Sequence, residues 1–78
     1  GPDIKSLIQV SFDISNPKTF QREIRALLKA SKELGCNRLV LITESEERTI
    51  QAEWYGIKRM IQVVPLYKIL LGMINAFD

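Results

Sequence analysis

Residues 7–43 read LIQVSFDISNPKTFQREIRALLKASKELGCNRLVLIT, and this stretch decides the fold. Its first part alternates like a β-strand, with Ile8, Val10, Phe12 and Ile14 on one side and Gln9, Ser11 and Asp13 on the other. That second side is where polar side chains are expected to converge, on what reads as a central strand. A helix follows with agreeing start and stop signals: Asn16 suits the N-cap, Pro17 the first turn, and Gly35 a left-handed terminator after Leu34. Phe20, Ile24, Leu27, Leu28, Ser31 and Leu34 recur at spacings of three and four, with Ala26 and Ala30 at the margins, and define the stripe that packs on a sheet. Arg38 to Thr43 is then a nearly continuous apolar run, the pattern of a strand covered on both faces. Strand, crossover helix and strand imply parallel pairing with a right-handed connection.

Working outward, Thr43 to Arg48 (TESEER) is a polar break that reads as a flexible loop. Two β-prone runs follow, Thr49 to Trp54 and Ile57 to Val64, joined by Tyr55-Gly56 as a hairpin whose turn type the residues leave open. Pro65 closes the last strand and opens a helix striped by Leu66, Ile69, Leu70, Met73 and Phe77, which Leu71 and Ile74 widen. A helix apolar around so much of its girth is a candidate for contact with a second copy or another region. The expected fold class is α/β, in the order β-α-β-β-β-α, a small mixed sheet with flanking helices.

The 78 residues, 46% of them apolar, suffice for one small domain spanning 1–78. The chain enters its first strand almost at once after Gly1-Pro2-Asp3-Ile4-Lys5, which reads as a domain excised from a larger protein. No stretch reaches the length of a membrane span and no signal-peptide pattern opens the chain, so the expectation is an intracellular, cytoplasmic parent with no membrane partner. Without histidine there is no imidazole for zinc binding, a Ser-His triad or acid-base work. Cys36 is the only cysteine, which excludes an intrachain disulfide and reads as a buried thiol. Gly35, Gly56 and Gly72 are isolated, so there is no phosphate-binding P-loop, and no cofactor is expected in this chain.

Net charge is only +2, so placement matters more than sum. Lys18, Arg22, Arg25, Lys29 and Lys32 follow one another at spacings of four, three, four and three, which places all five on the helix face opposite the apolar stripe. Such a helix spans roughly 27 Å, enough to follow several phosphates. This stripe is the candidate nucleic-acid contact, with Glu23 and Glu33 flanking and partly neutralising it. Trp54 and Tyr55 at the hairpin tip could stack on bases, although packing is the plainer role. Glu44, Glu46 and Glu47 lack the spacing of a calcium loop, and no metal site is expected.

One further pattern emerges from Ile8-Gln9-Val10-Ser11-Phe12-Asp13-Ile14-Ser15, then Thr19, Arg22-Glu23 and Ala26-Leu27, then Leu41-Ile42-Thr43, and finally Val63-Val64-Pro65-Leu66. Together these resemble, over essentially the whole chain, the C-terminal domain of a family of archaeal and bacterial AAA-type P-loop ATPases. The resemblance implies a restriction-endonuclease-like, PD-(D/E)XK-type fold, of which this chain is the second half, with the ATP-binding part upstream. In active members an Asp and a Glu-x-Lys gather a divalent metal and a nucleophilic water. The matching positions here are Gln9 and Ser11; Ser11 cannot replace the ammonium, so they read as degenerate and the chain as noncatalytic. The resemblance thus implies an accessory domain whose partners are the rest of the ATPase and, through the basic helix, nucleic acid. Two alternatives stand beside it: a degenerate metal-dependent nuclease completed by an upstream strand, and a dimerisation module built on the final helix.

Overall fold

The structure is a computed structural model in which residues 6–77 are described, with side chains from Ser6 to Gly72. Strand β1 (Leu7–Val10) leads into helix α1 (Pro17–Leu34), followed by β2 (Leu39–Thr43), β3 (Arg48–Trp54), β4 (Ile57–Pro65) and helix α2 (Leu66–Phe77). The α/β reading and its element order therefore hold. The four strands form one mixed sheet in the order β1-β2-β4-β3, with β1 and β4 parallel to β2 and β3 antiparallel to β4. Registers run Leu7↔Leu39, Leu39↔Ile61 and Ile50↔Ile61, so one row of apolar side chains crosses all four strands.

That row lies under α1. Ile24, Leu27 and Leu28 of the helix interlock with Leu39, Leu41, Ile57, Ile61 and Val63, and Leu7, Ile14, Phe20, Ile50, Ala52 and Trp54 close the rim. Asn16 caps α1 by accepting from the Lys18 and Thr19 amides at 2.9 and 3.4 Å, and Gly35 ends it with φ 64°. Leu34, counted in the buried stripe, is half-exposed because the last turn overhangs the sheet. Arg59 ties this end down: its Nε donates to Ser31 Oγ at 2.8 Å, while Ser31 Oγ donates to the Cys36 carbonyl at 2.5 Å. Cys36 is buried, as its lone thiol suggested.

β1 is an edge strand rather than a central one, because β2 lies between it and the rest of the sheet. Its alternation is real but its faces are inverted from simple hydropathy: Leu7 and Gln9 turn toward α1, while Ile8 and Val10 are 60% and 52% exposed on the far side. β2 is the buried centre of the sheet, with Leu39, Leu41 and Thr43 buried on the α1 side and Ile42 buried and Val40 half-buried on the other. The TESEER loop is tethered rather than free. Thr43 Oγ1 accepts from the Glu46 amide at 3.0 Å, Glu46 pairs with Arg48 at 3.1 Å, and Glu47 with Lys68 at 2.5 Å. In α2, Leu66 and Ile69 are half-buried and Tyr67, Leu70 and Leu71 exposed. The side chains of Met73, Ile74 and Phe77, and residues Gly1 to Lys5, lie outside the described residues.

The hairpin turn is of type I′, with positive φ at both Tyr55 (49°) and Gly56 (78°). Glycine takes this backbone freely; a tyrosine does so against its Cβ. Its ring contacts Trp54 edge-on at 4.9 Å but is otherwise in solvent, at 86% exposure. Tyr55→Asn is therefore expected to stabilise the domain by about 0.5–1 kcal/mol, the relief at φ exceeding the lost ring contact. Urea unfolding checks this, and a lower midpoint would show that the ring contact dominates.

Candidate functional site

α1 is clamped along its length. Near its start Phe20 packs beneath the Arg48 guanidinium, 5.3 Å from ring centroid to charge, and near its end Ser31 is held by Arg59. A helix so held turns its outer face to solvent. On that face Lys18, Arg22, Arg25, Lys29 and Lys32 are all exposed, and among the described residues none of the five forms an ion pair. The sequence-derived stripe is thus brought together as expected.

One feature makes the face more basic than the sequence suggests, although Glu33, next to Lys32, stays exposed. Glu23 is half-buried and turned toward the sheet, where its Oε2 accepts a 2.5 Å hydrogen bond from Gln9 Nε2. It does not sit beside the cations. The reason is angular: Glu23 adjoins Ile24 and precedes Leu27 by four, so it borders the apolar stripe, where a carboxylate needs a partner in place of lost water. Lys18 lies in a first helical turn that contains no acid. The helix dipole disfavours a cation there by about 0.3–1 kcal/mol.

The polar side of β1 does not converge. Gln9 is committed to Glu23; the strand ends at Val10, and the Ser11 amide donates to the Ile42 carbonyl at 2.8 Å. Asp13 folds back on Ser15, accepting from its amide at 3.0 Å and its hydroxyl at 2.5 Å. Those two hydrogen bonds, the hydroxyl's first, hold the Asp13 carboxyl below the usual aspartate range. Asp13, Glu44 and Glu46 line a shallow crevice at the carboxyl ends of β1 and β2. Among the described residues no group of three His, Cys, Asp or Glu gathers as metal ligands would. Trp54 is half-buried against the core, so of the two tip aromatics only Tyr55 is open to solvent.

Sequence reasoning missed Arg59, whose alternation on β4 places it beneath the end of α1, and the Gln9–Glu23 contact, which joins residues 14 apart across the helix–sheet boundary. No family model, curated protein or solved structure matches the chain. No helix among the described residues is long and apolar enough to cross a membrane.

Gln9→Leu is expected to cost about 1–3 kcal/mol by leaving the half-buried Glu23 carboxylate unpartnered, whereas Gln9→Leu with Glu23→Leu recovers most of the loss. A double-mutant cycle in urea measures this, and additive losses would deny the coupling. A depressed carboxyl favours the fold above its unfolded value and loses that favour as pH falls through the folded one. Ser15→Ala is accordingly expected to move the Asp13 titration upward in an NMR pH series, with an unmoved midpoint counting against the turn.

Proposed function

We propose that this chain is a noncatalytic binding domain that contacts a nucleic-acid backbone through the outer face of α1. One observation carries the reading: five exposed cations on one helix face, none ion-paired among the described residues, with Glu23 turned away from them. Elsewhere Glu46–Arg48, Glu53–Lys58 and Glu47–Lys68 form ion pairs, while the exposed Glu33, Arg38 and Glu44 form none among the described residues. A linear array of unneutralised charge suits a polyanion with regularly spaced phosphates, because each contact releases condensed counterions. Lys18 in the first turn adds to the case, since a cation tolerated where the dipole opposes it fits a binding role better than a stabilising one.

The Gln9 amide nitrogen donates to Glu23, which supports a structural reading of the degenerate nuclease position Gln9. The resemblance to the terminal domain of AAA-type ATPases supplies a setting: an accessory module of a cytoplasmic archaeal or bacterial ATPase, working beside the ATP-binding part. In that setting the basic helix anchors the motor to the nucleic acid on which it acts.

Fluorescence-anisotropy titration with duplex and single-stranded DNA at several salt concentrations tests the reading. Three to five phosphate contacts correspond to a slope of log Kobs against log salt of about −3 to −4.5 on duplex. Reversal of Arg22, Arg25 and Lys29 to Glu is expected to abolish binding while leaving the circular dichroism unchanged. Absence of binding at low salt, or binding indifferent to the reversal, overturns it.

A further inference from the structure

Tyr55 occupies a position from which the fold gains little. The first central position of a type I′ turn favours asparagine, aspartate or glycine, yet here an aromatic residue holds φ at 49°. Its ring touches Trp54 edge-on at 4.9 Å and is otherwise in solvent, at 86% exposure. A bulky side chain kept in left-handed backbone and left mostly unburied costs stability, and such local strain concentrates where a residue serves binding.

The hairpin tip and the basic helix meet at one end of the molecule. Trp54 and Ile57 face each other across the hairpin and both pack in the core under α1, so the Tyr55 ring, set against Trp54, lies on the α1 side of the sheet. Two residues beyond Ile57, about 7 Å along β4, Arg59 donates to Ser31 in the last turn of α1, and the exposed Lys32 follows Ser31. The cation row also leans toward the hairpin. At about 100° per residue, Gln21, Lys32, Arg25 and Lys18 fall within about 60° of arc on one flank of the helix, and Gln21 lines a crevice with Gln51 and Glu53 of β3. Glu23, on the opposite flank, meets Gln9 of β1. The row therefore borders β3, the strand that runs to Tyr55. The carboxylate on that strand, Glu53, is paired with Lys58 at 4.0 Å.

We propose that the Tyr55 ring is a stacking platform for one unpaired base, and that the ligand of the basic helix is accordingly a single strand. Its phosphates follow the cation row toward Lys32, and a base beyond the end of that row lies on Tyr55. This rests on the nucleic-acid reading of α1 and narrows it. In a duplex the base faces are covered by their neighbours, whereas an unstacked base offers its face to an aromatic ring. Every base has such a face, so the contact selects strand state without reading sequence.

Fluorescence-anisotropy titration of the 78-residue chain with a single strand and a duplex, each of about 12 nucleotides, as suits small single-strand binders, tests this with Tyr55→Asn, a residue the turn accepts. The single-strand dissociation constant is expected to rise about five- to a hundredfold, while duplex binding and both salt slopes stay unchanged because no phosphate contact is lost. Tyr55→Phe keeps the ring and should bind as the wild-type chain does. Equal losses on single strand and duplex, or no loss on either, overturn the stacking role, and reversal of Arg22, Arg25 and Lys29 still reports separately on the helix. Absence of binding to either nucleic acid at low salt overturns both readings.

Discussion

The docking of α1 on a single face of the sheet is the constraint on which the rest of this molecule depends. Ile24, Leu27, Leu28 and Ser31 supply the buried side of the helix, and Leu39, Leu41, Ile61 and Val63 the floor beneath them. Once that face is assigned, alternation assigns every other side chain on the sheet. Gln9 must lie under the helix margin, Ile8 and Val10 must face away, and Arg59 must meet the end of α1. The same docking turns Lys18, Arg22, Arg25, Lys29 and Lys32 outward as a set, because 3.6 residues per turn puts them opposite the buried stripe.

Small size makes the arrangement asymmetric. One 18-residue helix covers one face of a four-stranded sheet, and the short α2 continues from β4 and packs against it. The two outer surfaces of the slab therefore differ in kind. One is the basic side of α1, held by the Phe20–Arg48 and Ser31–Arg59 contacts; the other sets apolar Ile8, Val10 and Met60 beside Thr49, Gln62 and the Glu53–Lys58 pair.

Polar atoms at the boundary of α1 and the sheet show how little freedom remains there. No buried side-chain nitrogen or oxygen among the described residues lacks a hydrogen-bond partner. Ser31, fully buried, satisfies both its donor and its acceptor by joining the Cys36 carbonyl to Arg59. At the half-buried margin the Glu23 carboxylate accepts from Gln9 Nε2. Such contacts cost more when broken than they contribute when made, because removal of one partner strands the other away from water.

Local physics was legible in the residues alone. The caps at Asn16 and Gly35, the apolar period of α1, the hairpin at Tyr55-Gly56, the element order and the five-cation stripe all depend on interactions within a few residues or on a fixed helical angle. What needed the tertiary structure was every choice between equivalent faces. An alternating strand such as β1 has two sides, and hydropathy favoured the side with Ile8 and Val10 as the buried one. Packing chose the other, because the short edge strand sets Leu7 and Gln9 beside α1, where Leu7 fills the core rim and Gln9 meets Glu23. The same choice moved Glu23 out of the basic face and left Met60 in solvent. Periodicity determines that a strand has faces; only the position of a neighbour 14 or more residues away decides which face is inside.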